Sequence, residues 1–460
     1  MKRFAYLGLA IGLVALAGSG AAMAKGGPDQ IARLGADLTP MGSIKAGNAE
    51  GTIPAWDGGI QSPPPGFVPG QRLVDPFASD PVLFTITGQN ADQYAEKLSP
   101  GQMALLKLYP TYKMNVYQSR RSCSYTQKVY DANRKNAEVA KLTADGNGLV
   151  EGLVGVPFPL ATEGVEFFWN HRFRPRLGFK FKRAFALAAV TRGGDYNLVK
   201  SQDEGILHYM GPGLREPGDV TSLSQLDNVW ITYLSMTTSP ARIAGSIILV
   251  RDNISDEVGP RQAWQYNPGT RRVVRAPDLA FDNPGTNADG LTTIDQFDMM
   301  NGSPERYSWK LVGKQEAYIG YNAYRANNTT YKEFLTANHP NQDVMRYELQ
   351  RVNVIEASVR EGSRHQYSKR VIFQDADSWT FTNISLYDSR GELWRVQDGP
   401  IINYYDAKSC NQIFEVDYDL QSGRYLAQTM NMEETPIDFN ATELQPERYN
   451  PDALRRLGTR

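Results

Sequence analysis

The chain has 460 residues, with 49 Lys and Arg against 50 Asp and Glu, and a formal net charge of −1 at neutral pH. Such balance excludes a general polyanion binder, which is strongly basic. Two cysteines, 41 Gly, 27 Pro and 49 aromatic residues describe a large turn-rich chain with enough apolar bulk for a sizeable core.

The first 24 residues place Lys2 and Arg3 before an apolar run from Phe4 to Ala17, then the small-residue site Ala22-Met23-Ala24. This pattern predicts a secretory signal peptide over 1–24, cut after Ala24, and an exported mature chain. The alternative is a membrane anchor, but the run falls short of the roughly 20 apolar residues that a span needs. Cleavage removes two bases and no acid, leaving 47 basic residues against 50 acidic ones.

Residues 25–88 are rich in Pro and Gly, and the run Pro63-Pro64-Pro65 favours an extended arm over regular structure. Trp56 and Phe67 are its candidate anchors. Residues 89–145 read as a helical segment in two parts. The first is broken at Pro100; the second starts at Cys123, with Tyr125, Val129, Ala132, Val139 and Leu142 as its apolar stripe.

From 146 to 435 the pattern is one of strands, among them "GFKFKRAFALAAV", "NVWITYLSM", "GSIILVRD", "RYSWKLVG", "DVMRYELQRVNVIEASVR", "SKRVIFQ", "SWTFTNISLYD" and "IFEVDYD". β-Branched and aromatic runs separated by Gly, Asn, Asp or Pro predict an antiparallel sheet. Residues 436–460 are left as a C-terminal tail. Three turns share a plan of aromatic, Asx and glycine: Tyr266-Asn267-Pro268-Gly269, Tyr387-Asp388-Ser389-Arg390-Gly391 and Tyr418 to Gly423. In each, the Asx is expected to cap the turn and glycine to supply positive φ.

The first of these turns carries Arg271, Arg272 and Arg275, with Arg261 upstream. A basic hairpin can meet anionic head groups or an acidic docking surface. It can also be a solvated tip paired with Asp278 and Asp282.

His171, His208, His339 and His365 are scattered and belong to no zinc helix or hydrolase elbow, which leaves a hydrolase reading of His171 or His365 without a nucleophile. His171 falls in a basic connector, "WNHRFRPR". The 282–290 loop, "DNPGTNADG", has spaced oxygens but lacks the EF-hand pattern. No dinucleotide or phosphate-binding loop is present, so no cofactor, no metal, no nucleic acid and no enzymatic activity are expected. In an oxidising compartment Cys123 and Cys410 are expected to pair, stabilising by about 4 to 5 kcal/mol in the chain-entropy model. Two buried free thiols are the alternative. Aromatic strand faces serve either a packed core or an apolar cavity.

The stretches "LGADLTPMGSIKAGNAEGTIPAW", "GVPFPLATEGVEFFWNHRFR", "WQYNPGTRRVVRAPDLAFDNP", "DGLTTIDQFDMMNGSPERYSWKLVGKQE" and "YELQRVNVIEASV" with "HQYSKRVIFQDADSW" resemble the periplasmic domain of unknown function 1329 family, often labelled outer-membrane lipoprotein-sorting-protein-like. The resemblance covers essentially the whole mature chain in order. It implies an α+β, mostly β fold: a large curved antiparallel sheet, a lipoprotein-carrier-like open half-barrel, with helices covering the concave face. It also implies a lipid-like ligand and a working link to a resistance-nodulation-division exporter and an outer-membrane protein. No catalytic residues follow from it. Trp169, Trp230, Trp264, Trp309, Tyr318, Arg271, Arg272 and Arg275 are the candidate cavity or rim residues. A structural or assembly protein with a packed sheet, whose arm clamps a partner through Trp56 and Phe67, is the alternative.

Overall fold

A computed structural model describes residues 26–458, except 153, 177, 211–222, 256–257 and 277–280. The expected signal peptide and Asp278 lie outside the described residues.

The chain is mostly β and is built on one open sheet of 15 strands. Across it run, in order, Phe84–Thr87, Lys113–Tyr117, Tyr347–Val359, Lys369–Asp375, Phe381–Tyr387, Leu393–Asp398, Glu415–Asp419, Arg424–Met430, Lys180–Val190, Leu198–Leu207, Val229–Ser239, Ile247–Asn253, Gln262–Asn267 and Arg272–Arg275, with Tyr307–Gly320 paired beside Tyr347–Val359. The pairing is antiparallel with one exception: Lys113–Tyr117 joins Tyr347–Val359 in parallel at Val116 and Tyr117. The sheet is therefore mixed, because the first two strands come from the N-terminal segments and enter from the edge.

Both faces of the sheet are covered. In Phe381–Tyr387, Ile384 and Leu386 belong to one apolar cluster, while the alternate residues Asn383 and Ser385 meet the helix Pro100–Leu108. Ser99 caps that helix and Pro100 opens it, so the proline expected as a break is a helix start. A Cβ on Gly101 would overlap Val396, which fixes glycine where this helix touches the sheet. The helix Gly164–Phe173 packs on Tyr307–Gly320 and is buried at every position except Val165.

The second expected helix covers Gln127–Val139. Its buried side chains are Val129, Asn133, Asn136 and Ala137, not the stripe through Ala132 and Val139, because it packs on the arm and the 155–158 segment through its two asparagines. Cys123 precedes this helix in a buried extended segment and is bonded to Cys410, with the Cα atoms 5.7 Å apart. Cys410 lies on the small strand Ser409–Gln412, which pairs with Ile401–Tyr404.

The arm is wrapped onto its own chain. The Trp56 indole donates to the Cys123 carbonyl, and Phe67 sets its ring edge-on against Tyr405. At the other end, Pro451–Gly458 is helical and lies over the Ile247–Asn253, Gln262–Asn267 and Arg272–Arg275 strands. Leu454 and Tyr449 there join Ile206, Leu234, Ile247, Leu249 and Tyr266 in a separate apolar cluster.

Of the three turns, Asn267, Asp388 and Asp419 each accept backbone N–H bonds within their loop. Gly391 and Gly423 take positive φ as expected, but in the first turn Arg271 does so, at φ 53°, in place of Gly269.

Candidate functional site: a cavity with a cationic inner end

The wing of the sheet from Lys180 to Asn267 has two different faces. Strand alternation sends Ile206, Leu234, Ile247 and Leu249 to the C-terminal helix. The opposite face carries Phe181, Arg183, Phe185 and Leu187 from one strand, Ile231, Tyr233, Ser235 and Thr237 from another, and Ile248, Val250 and Asp252 from a third. Residues 285–301 lie over part of this face and, with it, line a partly open cavity of about 390 Å³. Covering residues include Thr292, Ile294, Phe297, Asp298 and Asn301, and Gln428 and Glu415 close the side. This volume falls within the range of small-molecule sites.

The covering segment is held in an unusual backbone shape, with positive φ at Asn287, Asp289, Asp298 and Met299. Glu415 secures it by accepting the N–H groups of Asp298 and Met299 at 3.0 and 3.1 Å.

One end of the cavity is charged. Arg176 bonds Asp298 and lies 5.4 Å over the Trp230 ring. Arg174, behind it, also bonds Asp298, at 2.6 Å. Asp252 takes Arg172 at 2.8 Å and Arg261 at 2.9 Å, together with the Trp230 indole N–H at 3.0 Å. Arg183 reaches Asp203 at 2.8 Å, and Tyr233 donates to the same carboxylate oxygen. Two carboxylates are thus each shared by two guanidinium groups.

This crowding shifts the titrating groups. Burial, and then repulsion from Arg174, Arg172 and Arg183, pushes Arg176 well below the usual arginine value. Guanidinium nevertheless stays protonated in proteins. For Asp252, burial acts upward but the charges of Arg172 and Arg261 outweigh it and hold the carboxyl below its ordinary value. Burial, reinforced by Asp417, raises Glu415 to about 8, so it is mainly protonated at neutral pH.

His171 is a buried helical residue and not part of a connector, because its helix is enclosed on all sides. It stacks on Phe381 at 3.9 Å, accepts the Phe381 N–H at Nδ1 and donates from Nε2 to the Asp298 carbonyl. Burial and the neighbouring arginines push its pKa far down, so it is neutral. His365 meets Asp295 at 3.1 Å. In the 282–290 loop, Asp282 accepts from Gln366 and Asp289 from Arg424. Among the described residues no cluster of His, Cys, Asp and Glu suits a metal ion.

Of the residues singled out in the sequence, Trp230 lines the cavity. Trp169 stacks on Phe173 in the core and donates to the Gly146 carbonyl. Trp309 packs on Phe168, and Tyr318 on Phe84 and Tyr94. Trp264 faces the C-terminal helix cluster, on the side of the sheet away from the cavity. Arg271, Arg272 and Arg275 are exposed at the tip and edge strand, outside the cavity lining. Asp282 pairs with Arg306 instead of these arginines, since the 281–282 turn lies against the Arg306 side chain. Arg176, Arg183, Asp252, Asp298 and Glu415 were not anticipated, and Arg261 was read only with the basic hairpin. The signal was present in "RFRPR", whose arginines recur at alternate positions, and in Arg183 amid the apolar alternation Phe181, Phe185, Leu187.

The fold and cavity together define a class: an open mixed sheet, covered on both faces, with a partly open pocket on one wing. The chain belongs to the family described as "Protein of unknown function (DUF1329)", which matches residues 85–455. It is 43% identical over 442 residues to the Pseudomonas aeruginosa "Uncharacterized protein PA3922", covering 95% of each chain. Among solved structures it is similar to a putative outer membrane lipoprotein-sorting protein domain from Vibrio parahaemolyticus, with TM-score 0.43 and 15% identity over 64% of this chain and 98% of that one. A DUF1329 family protein from Desulfovibrio piger gives TM-score 0.40 and 14% identity, covering 60% and 92%. The LolA superfamily protein NE2245 from Nitrosomonas europaea gives TM-score 0.38 and 12% identity, covering 64% and 99%. No helix among the described residues is long and apolar enough to cross a membrane.

Proposed function

We propose that the protein is a non-enzymatic carrier of a lipid-like hydrophobic molecule, which it holds in the cavity beneath residues 285–301. The observation that carries this reading is the chamber itself, about 390 Å³ walled by Phe181, Phe185, Leu187, Ile248 and Val250. A concave pocket of this volume with mainly apolar walls has the form that small-molecule sites take. The carrier acts in the periplasm after cleavage following Ala24. It works with an inner-membrane exporter of the resistance-nodulation-division type and an outer-membrane protein. Arg271, Arg272 and Arg275 at the sheet edge supply a basic contact for an acidic partner surface.

Protein purified from periplasmic extracts is expected to release a lipid-like compound into organic solvent, identified by mass spectrometry. Empty extracts, together with failure to take up an environment-sensitive apolar dye, would overturn the reading. The assembly-protein alternative needs Trp56 and Phe67 to reach another protein, and both rings are engaged within the chain.

A further inference from the structure

We propose that the cargo enters and leaves the cavity across the last strand of the sheet, over Gln265 and Val274, and that Val274 and Arg272 form the rim of this portal. The proposal rests on the carrier reading and adds to it the route by which an apolar molecule reaches the wall.

Antiparallel register carries one row of side chains from the cavity to the edge of the sheet. Arg183 lies opposite Asp203, Asp203 opposite Ser235, Ser235 opposite Ile248, Ile248 opposite Gln265 and Gln265 opposite Val274. Directly paired residues share a face, so Val274 stands on the cavity side of Arg272–Arg275, and Arg272, two residues away, stands with it. Val273 and Arg275 take the other side: Val273 packs in the cluster under the C-terminal helix, and Arg275 is paired with Trp264 of that cluster. Exposure rises along the row. Asp203 is 2% exposed, Ser235, Ile248 and Gln265 are half-buried, and Val274 is 52% exposed. Arg272–Arg275 ends the sheet, so the row runs out into solvent there.

The covering segment leaves this side open and closes others. Its apolar anchors lie on the inner strands, where Ala288 and Leu291 pack with Phe185, Leu187 and Leu426. Phe297 reaches Tyr233, with ring centroids 6.1 Å apart. Asn301 accepts from Arg261 at 2.6 Å, and Arg261 pairs with Asp252, which shuts the end of the cavity beside Trp230. The row next to that end runs through Phe181, Gly205, Tyr233 and Val250 and finishes on Ala263, which is 4% exposed. At the opposite end the turn after Ser239 brings Ile243 back into the lining. The opening therefore lies beyond Ile248 and Gln265, and a bound molecule that outgrows the cavity projects over Val274.

Both cysteines of the chain are in one disulfide, so a single introduced thiol takes a label alone. Bimane is attached to Val274→Cys, to Arg275→Cys on the opposite face of the same strand, and to Arg242→Cys in the turn that carries Ile243. All three positions are exposed, where replacement has little effect on stability. Stearates bearing a nitroxide quencher near the head or near the tail are titrated into each delipidated protein. Uptake and release of N-phenyl-1-naphthylamine are followed by stopped flow. Quenching at saturation is expected to be strongest at position 274. Bimane there is expected to slow both uptake and release of the dye several-fold and to leave its equilibrium affinity unchanged, because an obstructed path alters rates where an altered wall alters affinity. Strongest quenching at either of the other two positions, or equal dye kinetics in the three labelled proteins, would overturn the portal while the carrier reading stands, since the ligands still bind. If neither dye nor stearate binds the unlabelled protein, the carrier reading falls and the portal with it.

Discussion

Cys123 and Cys410 are bonded across 287 residues of sequence, joining the segment before the Gln127–Val139 helix to the small strand Ser409–Gln412. The closed loop contains most of the sheet, including the strands Lys180–Val190, Leu198–Leu207, Val229–Ser239 and Ile247–Asn253 of the cavity wall. Replacing both cysteines by Ser is expected to destabilise by about 2 to 5 kcal/mol, through greater freedom of the unfolded chain. Denaturant unfolding of the double variant checks this. An unchanged midpoint would show that the bond contributes no net stability.

Stability should depend on pH in a direction set by buried acids. Burial is the leading cause that raises Glu415 to about 8 and Asp417 and Asp398 to about 7. Unfolded Asp and Glu titrate near about 3.9 and 4.3. Between those values and about 7 to 8, the folded state binds more protons than the unfolded one, so stability falls as pH rises and levels off above the folded values. Asp252 and Asp295, held low by arginines once burial is overcome, act oppositely, and their contribution is lost in acid. Maximum stability is therefore expected at mildly acidic pH, near about 5, with a decline on the order of a few kcal/mol by pH 8. Melting temperature against pH tests this, and Glu415→Gln should flatten the alkaline limb.

Filling the chamber should separate binding from folding. Val250 and Ile248 are half-buried wall residues that line the cavity. Val250→Trp is expected to abolish uptake of an apolar dye while shifting stability by no more than about 1 kcal/mol, since added bulk enters empty space instead of a packed core. A large stability loss with dye uptake retained would mean that the chamber is not the binding site.

The hairpin arginines predict a contrasting result. Arg271, Arg272 and Arg275 are exposed, and none makes an ion pair among the described residues. Changing Arg272 and Arg275 to Glu should alter stability by less than about 0.5 kcal/mol. If this edge docks on an acidic partner, the same change should weaken capture of an envelope partner in cross-linking and steepen no other defect. Unaltered capture would remove the hairpin from the interface.

The sheet was readable where its strands alternate or are uniformly apolar, as in Lys180–Val190 and Val229–Ser239. Leu198–Leu207 was missed because its middle is Lys200, Ser201, Gln202, Asp203 and Glu204. Asp203 and Glu204 face opposite ways, yet each is matched, by Arg183 and Arg448. An interior ion pair erases the apolar alternation that marks a strand. The Gly164–Phe173 helix escaped for the complementary reason: buried almost throughout, it has no polar face to give a helical period. The cavity's charged end was hidden because Arg172, Arg174 and Arg176 look like a surface connector until the fold brings Asp252 and Asp298 beside them. Aromatic content left a packed core and an apolar cavity both open, and most of the tryptophans singled out pack into cores.

The C-terminal residues, read from sequence as a tail, carry the final prediction. Leu454 is fully buried on Pro451–Gly458 and, with Tyr449, completes the cluster of Ile206, Leu234, Ile247, Leu249 and Tyr266. These side chains occupy the face of the wing opposite the cavity, on the same strands that carry Tyr233, Ile248 and Val250. Gly458 lies so near the Tyr266 ring that a Cβ would overlap it, which marks a close-packed contact. Leu454→Ala is expected to cost about 2 to 5 kcal/mol by cavity formation and lost burial. Removing residues 451–460 uncovers the whole cluster and should leave an exposed apolar face prone to association. Because the two faces share strands, the deletion should also weaken ligand binding in the chamber, measured by dye titration of the monomeric fraction. A deletion that retains both melting temperature and dye affinity would show that the helix is a dispensable cover and that the wing is held by its strand pairing alone.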